Sequence, residues 1–581
     1  MPRIGVLFLF LGFFACTPKN GVETGSTSTA ISPANIEIDR GRETPGFIPE
    51  YTWERLPNHA EAYFPKSRYE RPMDMLEVDA KNPPHKRSDV RIIYPNKGCS
   101  SWEECGLNDP SVRYFLITPG DYVGWGTLEL TESGTEQNRR ILRYYNPALA
   151  NPYEPEHPVK MAGNAKKEVV LESLRMIGTD YWVFHGLSFR GRASTKKGHT
   201  GGKVNQIGYE ADHNIINFCL FEKFVGAGAM RIFQSNYNTV QNCVIRDKGA
   251  DIGVDIGGIG ISAFWQKEAR GNRIVNNEIY NVTDAVGLVY NVNKKGNKER
   301  AQMGSVPGTI IENNDFYIEP SMYSYKGDEE WSCAEDGLDF KTGTKSLKAA
   351  DRVQIINNRI WGHRPTDQTC GGSGSTGSGI VIHRDASNML IKGNIIFDVA
   401  QGVSIFGKNK KYPEEMVENI ALVNNLFYDM RDVIDGNFNS GLAMKLTSSV
   451  DVYYNTVVNA RQLLYVHERN STHRFQCNTF VNIDEAFEFS KNRQSWSSMN
   501  AWINYPDAQR IYAHQGTNNT ILAGADKKDF ADFTFYRRRW TGPEKVVLPK
   551  AILRKGHGLS VQPEQNCHCA DGGEGGRWWT R

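Results

Sequence analysis

The chain of 581 residues has almost no excess charge of either sign: 68 Lys and Arg stand against 66 Asp and Glu, a formal net charge of +2. A protein that grips nucleic acid or an anionic lipid surface concentrates positive charge, so neither partner is expected. Long apolar runs are also missing. The only run of note, residues 4–14, follows Arg3 and is too short to span a bilayer as a mature helix. The hairpin turns that punctuate an antiparallel sandwich about every ten residues are missing as well. A sandwich would not explain one side-chain type returning at one phase.

What is present begins at the N-terminus. Residues 4–14 have the length of a signal h-region and run into Phe14-Ala15-Cys16. A small residue followed by Cys resembles a bacterial lipobox, with Phe13 where Leu is favoured. Residues 1–16 are therefore expected to be a lipoprotein-type signal, with Cys16 the lipidated first residue of a cell-surface or outer-membrane protein. A secretory signal cut nearby is the alternative, and it sends the chain to the periplasm or the medium. Residues 17–43 are rich in Thr, Ser, Gly and Pro and read as a flexible tether. Residues 44–110 read as a segment that wraps or caps the N-terminal end of the protein's main body. In an oxidising compartment Cys99 with Cys105, and Cys333 with Cys370, are disulfide candidates. Cys567 and Cys569 sit in a Gly-rich tail with too few further ligands for a metal site.

From residue 185 onward one phrase recurs: an apolar pair, Asn-Asn or Asn-Cys, then alternating apolar residues. Aligning its second polar position gives Cys219, Cys243, Asn277, Asn314, Asn358, Asn394, Asn425, Asn455 and Asn478. The shortest stride is one bare coil of three short strands, and longer strides are coils with a loop inserted at a corner. Such strands cannot bury an apolar face alone, but stacked coils can. Each Asn can then bond the next coil's Asn at a buried corner. Cys219 and Cys243 on this ladder read as small buried residues. The expected fold is all-β: a right-handed parallel β-helix over 111–494, with a C-terminal cap and tail over 495–581.

Each coil also carries a Gly-led strand, beginning at Gly260, Gly287, Gly337, Gly379, Gly402 and Gly441. Alternation sends every second residue outward. Aligning the glycines gives an outward column of Phe264, Asn291, Lys341, His383, Phe406 and Lys445, with Asp339 beside Lys341 and Arg384 beyond His383. The turn Glu335-Asp336-Gly337-Leu338-Asp339 holds three carboxylates in five residues, a donor set suited to a hard cation such as Ca²⁺. The bland alternative is an acidic turn with a weak surface pair of Lys341 and Asp339. Insertions at 319–331 and 365–378, with Cys333 and Cys370 beside the turn, favour a site. Tyr323, Tyr325, Trp331 and Trp361 are candidates for stacking on sugar rings.

The Asn-ladder coils and the Glu335-Asp336-Gly337-Leu338-Asp339 motif resemble the parallel β-helix polysaccharide lyases of the pectate lyase-like superfamily, over about residues 110–490. The motif is nearest to the family-nine pectate lyases, which bind Ca²⁺ through an Asp-Asp-Gly-x-Asp run and place a catalytic Lys one coil later. Here that position lacks Lys, and the strand reads Gly379-Ile380-Val381-Ile382-His383. The Glu-x-Glu spacing of the alginate and chondroitin lyases of this fold is missing too. The resemblance implies Ca²⁺-assisted β-elimination on an acidic polysaccharide by a monomer. Glu335, Asp336 and Asp339 would hold the metal, Lys341 would be the base and His383 the alternative base or the acid. Arg384 would hold the substrate carboxylate, with Asn291 and Lys445 as further binding residues. Two rivals stand beside it: a glycoside hydrolase, since the run from Glu335 to Gly343 resembles the Asp-Asp catalytic strand of polygalacturonases and paired carboxylates would serve as acid and base, and a non-catalytic glycan-binding adhesin.

Overall fold

Strands of two to fourteen residues recur along the chain, and within the coil each pairs in parallel with its counterparts one coil before and after. The computed structural model describes residues 86–489 apart from loop segments, of which 191–204, 248–255, 291–303, 320–335, 364–376, 408–416 and 431–439 are the longest, and three strands between 520 and 549. Beyond residue 440 the description is chiefly of backbone. Two parallel sheets, of 24 and 13 strands, wind into a right-handed parallel β-helix with three faces. A separate antiparallel pair joins Phe530–Arg538 to Gly542–Pro549.

The face that carries the candidate site runs from Thr127–Leu130 through Ser173–Ile177, Asn205–Gly208, Met230–Phe233, Ile256–Ala263, Asp284–Tyr290, Leu338–Phe340, Ser378–Arg384 and Gln401–Gly407 into Ser440–Tyr453. Its inward residues stack in register. Ile261, Leu288, Phe340, Ile382 and Ile405 form one column with no solvent exposure. Burial of such columns is the main stabilising term in a fold whose coils have no core of their own.

The repeated Asn pair splits into two jobs at one corner. The first member turns the chain: Asn242, Asn276, Asn313, Asn357 and Asn424 all have φ between 54° and 71°, a region Asn tolerates better than other side chains. The second member forms the ladder. The backbone N–H of Asn277 donates to Asn314 Oδ1 at 2.8 Å, and the pattern repeats at 2.9 Å from Asn314 to Asn358, Asn358 to Asn394, Asn394 to Asn425 and Asn425 to Asn455. The thiols join it, with Cys219 N–H donating to Cys243 Sγ at 3.3 Å and Cys243 N–H to Asn277 Oδ1 at 2.9 Å. Asn478 lies outside the described residues. A second ladder, Asn214–Asn238–Asn272, lies at another corner and lacks the doubled Asn that marks the first.

The stack runs past both expected boundaries. Val90–Ile93 pairs with Tyr114–Ile117, so the first strand precedes residue 111. Thr520–Leu522 pairs with Thr479–Val481, beyond residue 494. Strand pairing needs only extended backbone, so it continues where the side-chain motif has stopped. The loop before the first full coil is closed by a Cys99–Cys105 disulfide and packs Trp102 against Tyr122 at 5.5 Å and Trp125 at 4.8 Å, covering apolar core at that end.

Candidate active site

Asp339 sits mid-strand with Leu338 and Phe340 turned into the core, so its own side chain points outward. It is nevertheless only 4% exposed. Its two oxygens are committed to different partners. Lys341 Nζ donates to Oδ2, and Oδ1 stands 2.6 Å from Nε2 of His383 on the next coil. Burial pushes the carboxyl up, but the hydrogen bond and charge of His383 and the charge of Lys341 outweigh it and hold Asp339 below the usual carboxylate range. It is therefore an ionised group bridging two basic side chains. Lys341 is 8% exposed, while the His383 side chain keeps 26% of its surface open. Arg384 follows at φ 66°, at the strand's end, so its direction departs from the alternation.

The structure brings Asp339, Lys341 and His383 together, with Arg384 adjoining. His383 is level with Phe406, and Phe406 with Lys445. The side chain of Lys445 lies outside the described residues. Asn291 needs correction. Aligning Gly287 with Gly337 puts Asn291 beside Lys341, but the register pairs Gly287 with Asp339 and Leu288 with Phe340. Gly337 instead accepts from the N–H of Ala285 at 3.0 Å. A shift of two keeps inward residues inward, so the alternation holds over Val286–Leu288 while the neighbours change. Val289 is level with Lys341; Asn291 itself lies outside the described residues.

The acidic turn divides in the same way. Asp336 Oδ1 accepts the N–H of Ser378 at 2.7 Å, and Asp336 N–H donates to Asp284 Oδ1 at 3.2 Å. Asp284 and Asp336 thus form a corner ladder in which each carboxylate accepts the backbone N–H of the coil after it, the reverse of the direction in the Asn ladder. Glu335, Cys333 and Cys370, with Tyr323, Tyr325 and Trp331, lie outside the described residues, as do Cys16 and the rest of 1–43. Ca²⁺ takes six to eight oxygens, and the described donors do not fit it: both Asp339 oxygens face basic groups and Asp336 serves a backbone N–H. Among the described residues no group of three or more His, Cys, Asp or Glu side chains could hold a metal ion. Trp361 is not a sugar platform, because it is 1% exposed and stacked between Tyr317 at 4.3 Å and Phe397 at 5.5 Å.

No family model matches the chain, and no curated protein matches it. Solved structures do. A mannuronic acid specific polysaccharide family 6 lyase from human gut microbiota aligns at 12% identity over 70% of this chain and 84% of its own, with a TM-score of 0.42. The pectate lyase Pel9A aligns at 12% over 70% and 78%, with a TM-score of 0.31. A surface adhesin of Streptococcus pneumoniae aligns at 10% over 67% and 87%, with a TM-score of 0.32.

Proposed function

We propose that the chain is an exported lyase that cleaves a uronate-containing polysaccharide by β-elimination. The observation that carries this reading is the ionised Asp339 bridging Lys341 and His383 on an outward face, with Arg384 adjoining. Elimination needs the uronate carboxylate neutralised and a base within reach of the proton α to it. In the neutral form of His383, with Nε2–H donating to Asp339, the lone pair is on Nδ1, and that nitrogen has no partner among the described residues. His383 Nδ1 takes the α-proton, the C–H electrons form the new double bond, and the bond to the glycosidic oxygen breaks. The imidazolium, stabilised by Asp339, returns its proton to the departing oxygen. Arg384 holds the substrate carboxylate, and Lys341, already donating to Asp339, supplies positive charge rather than a lone pair.

Incubation with a panel of uronate polysaccharides, with and without chelator, tests this. A lyase generates an unsaturated end that absorbs in the near ultraviolet. New reducing ends without that absorbance mean a hydrolase. Binding without turnover on every polymer means an adhesin. Loss of turnover on chelation establishes the metal, and unchanged turnover removes it.

A further inference from the structure

The outward column through Asp339 continues towards the N-terminal end of the coil. The register places Asp339 level with Gly287, Gly287 with Gly260, and Gly260 with Arg231. Two successive glycines leave that stretch of the face without side chains between Arg231 and Asp339. Three strand spacings separate the two, about 14 Å, a span that a short oligosaccharide covers.

Arg231 differs from the other arginine of its column. Arg175, two coils earlier, is paired with Glu129 at 3.2 Å. Arg231 has no carboxylate partner among the described residues. Its Nε reaches Ser262 Oγ at 3.4 Å, and its guanidinium lies over the Phe233 ring at 4.9 Å. A half-buried guanidinium whose paired Nη donors meet no acid among the described residues is suited to an incoming carboxylate. Tyr209 stands against Phe233 edge to face at 4.9 Å and is 53% exposed, the most open large apolar side chain among the described residues. An exposed aromatic ring beside such an Arg is a fitting platform for an anionic sugar, with the ring facing the sugar's apolar side and the guanidinium its acid.

We propose that Arg231 and Tyr209, both backed by the buried ring of Phe233, form a distal subsite for a uronate residue, with the polysaccharide lying along the coil axis over Gly260 and Gly287 to the Asp339 cluster. The proposal rests on the lyase reading for its direction but not for its test. Affinity for long and short oligogalacturonates and oligomannuronates is measured by calorimetry, and kcat/KM on whichever is cleaved. Arg231→Gln and Tyr209→Ala are each expected to weaken binding of the long probe about tenfold or more, and to shrink the advantage of long over short in kcat/KM. Tyr209→Ala removes an exposed ring, so it keeps the test open if Arg231→Gln unfolds. Equal losses on long and short probes, or no loss on either, overturn the subsite. If no uronate is cleaved but both variants still weaken binding, the subsite stands and the lyase reading falls. If cleavage proceeds and neither variant affects binding, the lyase reading stands and the subsite falls.

Discussion

Asp339 Oδ1 and His383 Nε2 meet at 2.6 Å across one coil boundary, so a buried acid fixes the tautomer of a half-open base. His383→Ala should lower kcat by about 10²–10⁴-fold, the usual contribution of a positioned general base. Asp339→Asn keeps the shape but lets the imidazole turn, so it should lower kcat while leaving KM within a few-fold. Near-ultraviolet product assays across pH check both. Full activity in His383→Ala would remove His383 from the chemistry.

The Asn ladder makes a stability prediction. Asn358 Oδ1 accepts from both the N–H and Nδ2 of Asn314 at 2.9 Å, and its Nδ2 donates to the carbonyl of Ile311 at 2.9 Å. Asn358→Ala leaves those buried groups unpaired, at about 1–3 kcal/mol each. Urea unfolding should show a loss of several kcal/mol; a loss under about 1 kcal/mol would mean that water or a shifted neighbour replaces the ladder.

His363 gives a pH dependence. It is fully buried, neither ring nitrogen has a hydrogen-bond partner among the described residues, and burial pushes its pKa down to about 3. The unfolded chain takes up this proton near the ordinary value of 6.5 and the folded chain does not. Stability is therefore complete above about pH 6.5 and falls on acidification towards pH 3, by about 1.4 kcal/mol per pH unit from this group. His363→Leu should flatten that part of the acid limb in denaturation measured across pH.

Cys219 and Cys243 are free and buried, and burial pushes the Cys243 thiol well up. Neither should be alkylated by iodoacetamide in the folded protein, and both should be after unfolding, as read by peptide mapping. Modification of the native chain would mean that this corner opens locally.

The coil was legible because a ladder demands one kind of side chain at one phase, and the strides between Asn277 and Asn455 follow the chain through every insertion. The glycines were less legible because they serve different ends. A Cβ on Gly337 would meet the carbonyl of Gly379 and the side chain of Ile360, each at 2.5 Å, so that glycine marks close packing between coils. Gly287 instead lies level with Asp339. Identical residues with different causes misled the phase by two. Asp336 shows the same limit, since an acid that caps Ser378 and one that binds a cation look alike in sequence. Arg231 was overlooked because its strand, Met230–Phe233, has no leading Gly.

The two-residue offset at Gly287 and Asp339 turns the outward face into a grid. Along the axis, positions change only by whole coils, about 4.8 Å; across it, an outward side chain can move only by two residues, about 6.6 Å. Inserting or deleting one coil between Arg231 and Asp339 would lengthen or shorten their separation by one graduation and leave both groups intact. On such a ruler, the length of polymer a chain measures changes in discrete steps rather than by gradual drift.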